Sequence, residues 1–95
     1  MWFLYVVLCD DGTLYTGITK DVLKRVACHN TGAGAKYTRS RRPVELLAKC
    51  EICDSRSVAL RCEYAFKRLS KKQKLANVQV GLQQFVKDQR MRMNH

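Results

Sequence analysis

One carboxylate in this chain stands where packing alone would not place it. Over residues 55–69 the apolar side chains Val58, Ala59, Cys62, Ala65, Phe66 and Leu69 recur at helical spacing, and Glu63 falls beside Ala59 and Phe66 on that wheel. A carboxylate at the edge of a buried arc must be paired, hydrogen-bonded or bound to a cation to offset its desolvation. Lys67, four residues on, offers an ion pair worth only about 0.3–0.5 kcal/mol if exposed. A hard cation such as magnesium is the alternative, since it takes one or two carboxylates and leaves the rest to water and phosphate oxygens. Both readings are open from the helix alone.

Two further sets of residues carry chemistry. Arg25 and His29 are four apart on a predicted helix from Asp21 to Asn30, on the margin of a stripe made by Val22, Leu23, Val26 and Ala27. Lys36, Arg39, Arg41 and Arg42, interleaved with Tyr37, Thr38 and Ser40, read as a phosphate-contacting segment rather than only a solvated loop. The whole chain agrees with that reading. It carries 18 Lys and Arg against 8 Asp and Glu, a net +10 on 95 residues. Solubility needs only about 2–8 charges on a small domain. A field of this size attracts polyanions, and nucleic acid is the commonest.

The elements that must position these residues follow from hydrophobic pattern. Residues 2–9 are apolar on both alternating faces, as a strand buried from two sides should be. Asp10-Asp11-Gly12 is a turn signal, and residues 13–19 are rich in β-branched and aromatic side chains, so a β-hairpin opens the chain. In its second strand Tyr15 and Gly17 share a face, and Gly17 would let a ligand or backbone approach Tyr15. The helix over 21–30 has Thr19 or Asp21 as its cap. Gly32 and Gly34 end it and open the basic loop. A third strand spans 44–51, a second helix starts at Asp54 or Ser55, a very basic helix covers 70–80, and Gly81 breaks it. Residues 82–93 form a last helix whose apolar side is Leu82, Phe85 and Val86. That side either packs on the same domain or meets a protein partner.

The apolar N-terminal stretch is short, lacks a basic flank and runs into Asp10, so it reads as a strand and not a signal peptide. No segment nears the roughly 18 apolar residues of a membrane span, and a cytoplasmic address is expected. Cys9, Cys28, Cys50, Cys53 and Cys62 are odd in number and set in apolar stretches, which suits free thiols. Cys50 and Cys53 form a C-x-x-C without the second pair a zinc site wants.

The order of these residues resembles the GIY-YIG nuclease domain: Phe3-Leu4-Tyr5, then Tyr15-Thr16-Gly17, then Arg25 and His29 on a helix, then Glu63 on a later one. The likeness runs from about Leu4 to about Lys74. It is nearest to the small stand-alone bacterial members through Leu8 to Thr19, Gly34-Ala35-Lys36-Tyr37-Thr38-Arg39 and Lys67-Arg68-Leu69-Ser70. Phe3-Leu4 stands where the family has Gly-Ile, Thr16 where it usually has Ile, and its C-terminal asparagine has no secure counterpart. The resemblance implies an α/β (α+β) fold with a small three-stranded antiparallel sheet flanked by helices. Residues 1–80 would be the nuclease domain and 81–95 a helical extension.

It also implies hydrolysis of DNA phosphodiesters with one divalent metal, magnesium or manganese, and no small-molecule cofactor. Cleavage would be structure-directed or weakly sequence-specific, in a repair or recombination setting. Glu63 would hold the metal and Arg25 the scissile phosphate. Tyr5 and Tyr15 would position or deprotonate the attacking water, with His29 assisting. Lys36, Tyr37, Arg39, Arg41 and Arg42 would hold the strand. A phenol of pKa near 10 is a poor base at neutral pH unless cations favour its phenolate, and His29 is the easier base. Sequence leaves that choice open, as it does the alternative of a catalytically weak binding module on the same fold.

Overall fold

β1 (Trp2–Leu8) is the strand that everything else is laid against. The computed structural model describes residues 1–93, and in it a three-stranded antiparallel sheet has the order β2-β1-β3, with β2 spanning Leu14–Thr19 and β3 Glu45–Cys53. The central place of β1 is why its residues are apolar on both faces: Leu4, Tyr5, Val6 and Val7 are all buried. α1 (Val22–Asn30) and a short α2 (Lys36–Arg39) follow β2. α3 (Arg56–Lys67), α4 (Lys71–Val80) and α5 (Gln83–Met93) follow β3. Among the described residues no helix is long and apolar enough to cross a membrane.

The pleat sorts the two cores. Tyr5, Val7 and Cys9 pack with Val22 and Val44 on one face, joined by the half-buried Phe3, Tyr15, Val26 and Leu46. Leu4, Val6, Cys50 and Ile52 face the other way, against Ala59, Cys62 and Phe66 of α3 and Leu82 and Val86 on either side of the start of α5. Phe85, the third apolar residue of the last helix, sets its ring edge-on to Phe66, with centroids 5.2 Å apart. All five cysteines are free thiols.

Local chemistry sets the boundaries. The Asp21 carboxylate accepts from the Lys24 amide and starts α1, so Asp21 rather than Thr19 is the cap. The Asn30 side chain, near the end of α1, accepts from the Val44 amide at 2.7 Å and donates to the Val44 carbonyl at 3.1 Å. That pair of bonds ties the helix to the residue before β3. β3 starts one residue later than its pattern suggested and runs two residues further, because Trp2 pairs with Cys53 across an irregularity in the register.

Three expectations change. The segment 36–39, expected as loop, closes one helical turn, with the Thr38 hydroxyl donating back to the Ala35 carbonyl at 3.0 Å. Leu23, placed in the apolar stripe of α1, is 70% exposed. The buried side runs instead through Val22, Val26 and His29, because the helix is rolled to bring His29 onto the sheet. Gly17 serves Tyr5, its cross-strand partner, and not Tyr15: a Cβ on Gly17 would come within 2.5 Å of the Tyr5 hydroxyl.

Thr16, where a larger apolar residue is usual in the related domain, is 3% exposed and its hydroxyl has no hydrogen-bond partner. A buried unsatisfied hydroxyl costs about 1–3 kcal/mol. Thr16→Val should therefore raise the urea midpoint by the equivalent of about 1–2 kcal/mol with an unchanged m value. An unchanged or lowered midpoint would show that the hydroxyl is not a liability.

Candidate functional site

The site is organised by two buried rings. Tyr5 comes from the central strand at 1% exposure, and His29 from the last turn of α1 at 0%. The Tyr5 hydroxyl and His29 Nε2 are 2.8 Å apart. On the other side of the imidazole, Nδ1 lies 2.8 Å from the Thr38 hydroxyl and 3.4 Å from the Ala35 amide nitrogen. Both ring nitrogens are thus partnered, which is what allows a polar ring to be fully buried. Gly34 makes room for it, since a Cβ there would collide with Nδ1 and Cα of His29.

Burial sets the protonation of this pair. Loss of solvent pushes the Tyr5 phenol up to about 12, against the pull of the Arg25 guanidinium beside it, while Tyr15 and Glu63 add to the rise. Burial lowers His29 below its ordinary 6.5, and the Arg25 charge lowers it further. At neutral pH the resting pair is a phenol and an uncharged imidazole. Arg25 is half-buried; its Nη1 approaches the Cys28 sulfur at 3.8 Å.

Tyr15 projects from β2 on the same face and meets His29 edge-on, with ring centroids 5.2 Å apart. Its other neighbour is Tyr37, nearly parallel at 27° with centroids 5.8 Å apart. Lys67 places its ammonium 5.4 Å from the Tyr15 ring and 3.6 Å from the Glu63 carboxylate. Glu63 therefore borders the tyrosines from α3, with 19% of its side chain exposed. The five residues Tyr5, Tyr15, Arg25, His29 and Glu63 form one neighbourhood, built from three elements of the sheet side and one helix behind it.

The basic segment divides in two. Arg41 is tied into the fold: Nε pairs with the Asp11 carboxylate at 3.0 Å, Nη1 donates to the Tyr37 carbonyl, and the guanidinium lies 4.0 Å from the centre of the Tyr37 ring. Arg42 donates to the Arg39 carbonyl at 2.9 Å and reaches the Asn30 carbonyl at 3.4 Å. Lys36 and Arg39 are exposed and, among the described residues, form no ion pair. Sequence reading missed Thr38 and Gly34 as site residues, seeing one as a hydroxyl among cations and the other as a helix stop. A small residue five positions and a hydroxyl nine positions after a histidine were the only available signal.

Among the described residues no group of three or more His, Cys, Asp or Glu side chains is placed to hold a metal ion. Glu63 stands alone as a carboxylate here, with one long ion pair to Lys67. That donor set suits a hard cation such as magnesium, which takes few protein oxygens and fills its sphere with water and phosphate. It does not suit zinc, which wants several nitrogen or sulfur ligands.

Residues 1–76 match the GIY-YIG catalytic domain, and the chain belongs to that family of nuclease domains. Within it, the chain is 57% identical over 70 residues to a UPF0213 protein of Desulfotalea psychrophila, covering 73% of this chain but 63% of that one. It is 48% identical over 79 residues to a UPF0213 protein of Staphylococcus saprophyticus, covering 83% of this chain and 95% of that protein. The solution structure of the UPF0213 protein from Bacillus halodurans superposes with a TM-score of 0.53 at 42% identity, covering 84% of this chain and 85% of that one.

Because His29 is held neutral, the folded state binds fewer protons than the unfolded chain in acid. Stability should fall as pH drops below the unfolded value near 6.5 and stop falling below the depressed folded value, at up to about 1.4 kcal/mol per pH unit between them. Urea unfolding across this range should show that limb, and His29→Gln should flatten it. A limb of equal slope in the variant would place the titration elsewhere.

Proposed function

We propose that this domain hydrolyses DNA phosphodiester bonds with a divalent cation, and that Tyr5 passes the proton of the attacking water to His29. The observation that carries the reading is the buried 2.8 Å contact between the Tyr5 hydroxyl and His29 Nε2, beside Arg25 and Glu63. One set of hydrogens gives every hydroxyl in this chain of groups an acceptor. Thr38 donates to the Ala35 carbonyl, His29 Nδ1–H donates to the Thr38 oxygen, and Tyr5 donates to Nε2. The weak 3.4 Å approach of the Ala35 amide to Nδ1 is the contact given up. The opposite tautomer would leave the buried Tyr5 hydrogen without an acceptor.

The chemistry then follows from charge. Water attacks phosphorus and gives its proton to the Tyr5 oxygen as Tyr5 releases its own to Nε2. The bond to the leaving oxygen breaks, and that oxygen takes a proton from solvent. In the resting protein a full transfer from Tyr5 to His29 is uphill by several kcal/mol, since one is pushed up and the other down. Glu63 contributes to that cost, because its negative charge raises Tyr5. A cation held by the Glu63 carboxylate would offset its push on Tyr5, the least of the influences on a phenol raised chiefly by burial.

Magnesium or manganese held by Glu63 and substrate oxygens would supply Lewis-acid relief to the phosphoryl and leaving oxygens. Arg25 presents a planar fork suited to the non-bridging oxygens of the scissile phosphate. Tyr15, anchored edge-on to His29, orients the water. Lys36 and Arg39 carry the neighbouring phosphates. Arg41 and Arg42 act one step back, by shaping the loop that presents them.

Cleavage of duplex, nicked, flapped and branched DNA in magnesium tests the proposal. Tyr5→Phe keeps the ring over Gly17 but removes the relay oxygen, and should lower kcat by about 10²–10⁴-fold with salt-dependent DNA binding retained. Glu63→Gln should abolish cleavage and spare binding. Wild-type activity no higher than that of Glu63→Gln on every substrate would reduce the domain to a binding module.

A further inference from the structure

Among the described residues β3 pairs with β1 alone, so its other edge meets no strand. Lys49 and Glu51 of β3, with Phe3 of β1 beside them, line a groove of about 900 Å³ together with Lys87, Arg90 and Met91 of α5. The groove is distinct from the reaction centre. Tyr5 and Lys49 are cross-strand partners and so share a sheet face, but the Tyr5 ring runs the other way, over Gly17 of β2. Reaction centre and groove thus lie at opposite margins of one sheet, about 10 Å apart by strand spacing. α5 also lies outside the residues that match the catalytic domain.

Charge identifies the occupant. Lys49, Lys87 and Arg90 converge on the groove, and among the described residues none of them is within ion-pair distance of a carboxylate, Glu51 included. Arg90 is fixed there, donating Nη1 to the Ile52 carbonyl of the strand edge at 3.0 Å, with its other N–H groups available. That bond also covers part of the edge against pairing with another strand. Three cations against the one Glu51 carboxylate leave the groove net positive over the apolar surface of Phe3 and Met91, which suits phosphates above and sugars below. We propose that the groove holds the phosphodiester backbone of the DNA on a flank away from the scissile bond. This rests on the nuclease reading above, and it makes α5 a substrate-binding element.

The test is binding of the full chain, without divalent cation, to duplex DNA over a series of salt concentrations. For K49Q/K87Q the slope of log affinity against log salt should shrink by about 1 per lysine. R56Q/K72Q removes the same charge from exposed positions outside the groove and should change the slope less. Equal effects of the two double variants, or no effect of K49Q/K87Q, would overturn the groove and leave the reaction assignment intact. A slope reduced by K49Q/K87Q alone, where the wild-type protein cleaves no substrate, would keep the groove and overturn the reaction assignment.

Discussion

A phenol and an imidazole, both withdrawn from water, share one 2.8 Å hydrogen bond, and much of the surrounding structure is what keeps that bond possible. Tyr5 can lie flat across β2 only because position 17 has no side chain. His29 can be buried only because α1 is rolled to aim it at the sheet, Gly34 leaves space for it, and Thr38 partners its far nitrogen. The one-turn helix at 36–39 exists in a sequence of weak helical signal because Thr38 must reach both His29 and Ala35. Local structure here is written by the needs of one side-chain contact.

The same burial that secures the contact makes it quiet. Desolvation raises Tyr5 and lowers His29, so neither carries charge at rest, and the nearby Arg25 favours the phenolate while opposing the imidazolium. Glu63 adds to the barrier until its charge is engaged. With both groups uncharged at rest, the pair stores no base in the unliganded protein. The net charge of +10 recruits that polyanion without deciding what happens to it.

How much of this was legible depended on the range of the interaction. The central strand, the hairpin, the caps and the breaks at Gly32 and Gly81 are local signals, and they stand close to where the pattern put them. The five residues of the neighbourhood came from the resemblance to a known nuclease domain, whose motifs their order matches; spacing on any one element does not bring them together. The partner of Gly17 was not, since a single strand does not declare its register, and the register pairs Gly17 with Tyr5. Leu23 and His29 exchanged places for a similar reason: helical periodicity finds a stripe but cannot rank a leucine against a histidine that has two waiting partners. Composition marked 36–42 as basic, but only geometry separates Arg41 and Arg42, spent on Asp11, Tyr37, Arg39 and Asn30, from the exposed Lys36 and Arg39.

The direction of the central hydrogen bond can be observed without any substrate. Long-range ¹H–¹⁵N correlation NMR at neutral pH distinguishes the two neutral tautomers of a histidine from each other and from the imidazolium. With Tyr5 donating and His29 accepting, His29 should be neutral, protonated on Nδ1 and bare on Nε2, and Tyr5→Phe should disturb the Nε2 resonance most. A proton on Nε2, or an imidazolium at pH 7, would mean that His29 is the donor, and Tyr5 could not deliver a proton to it.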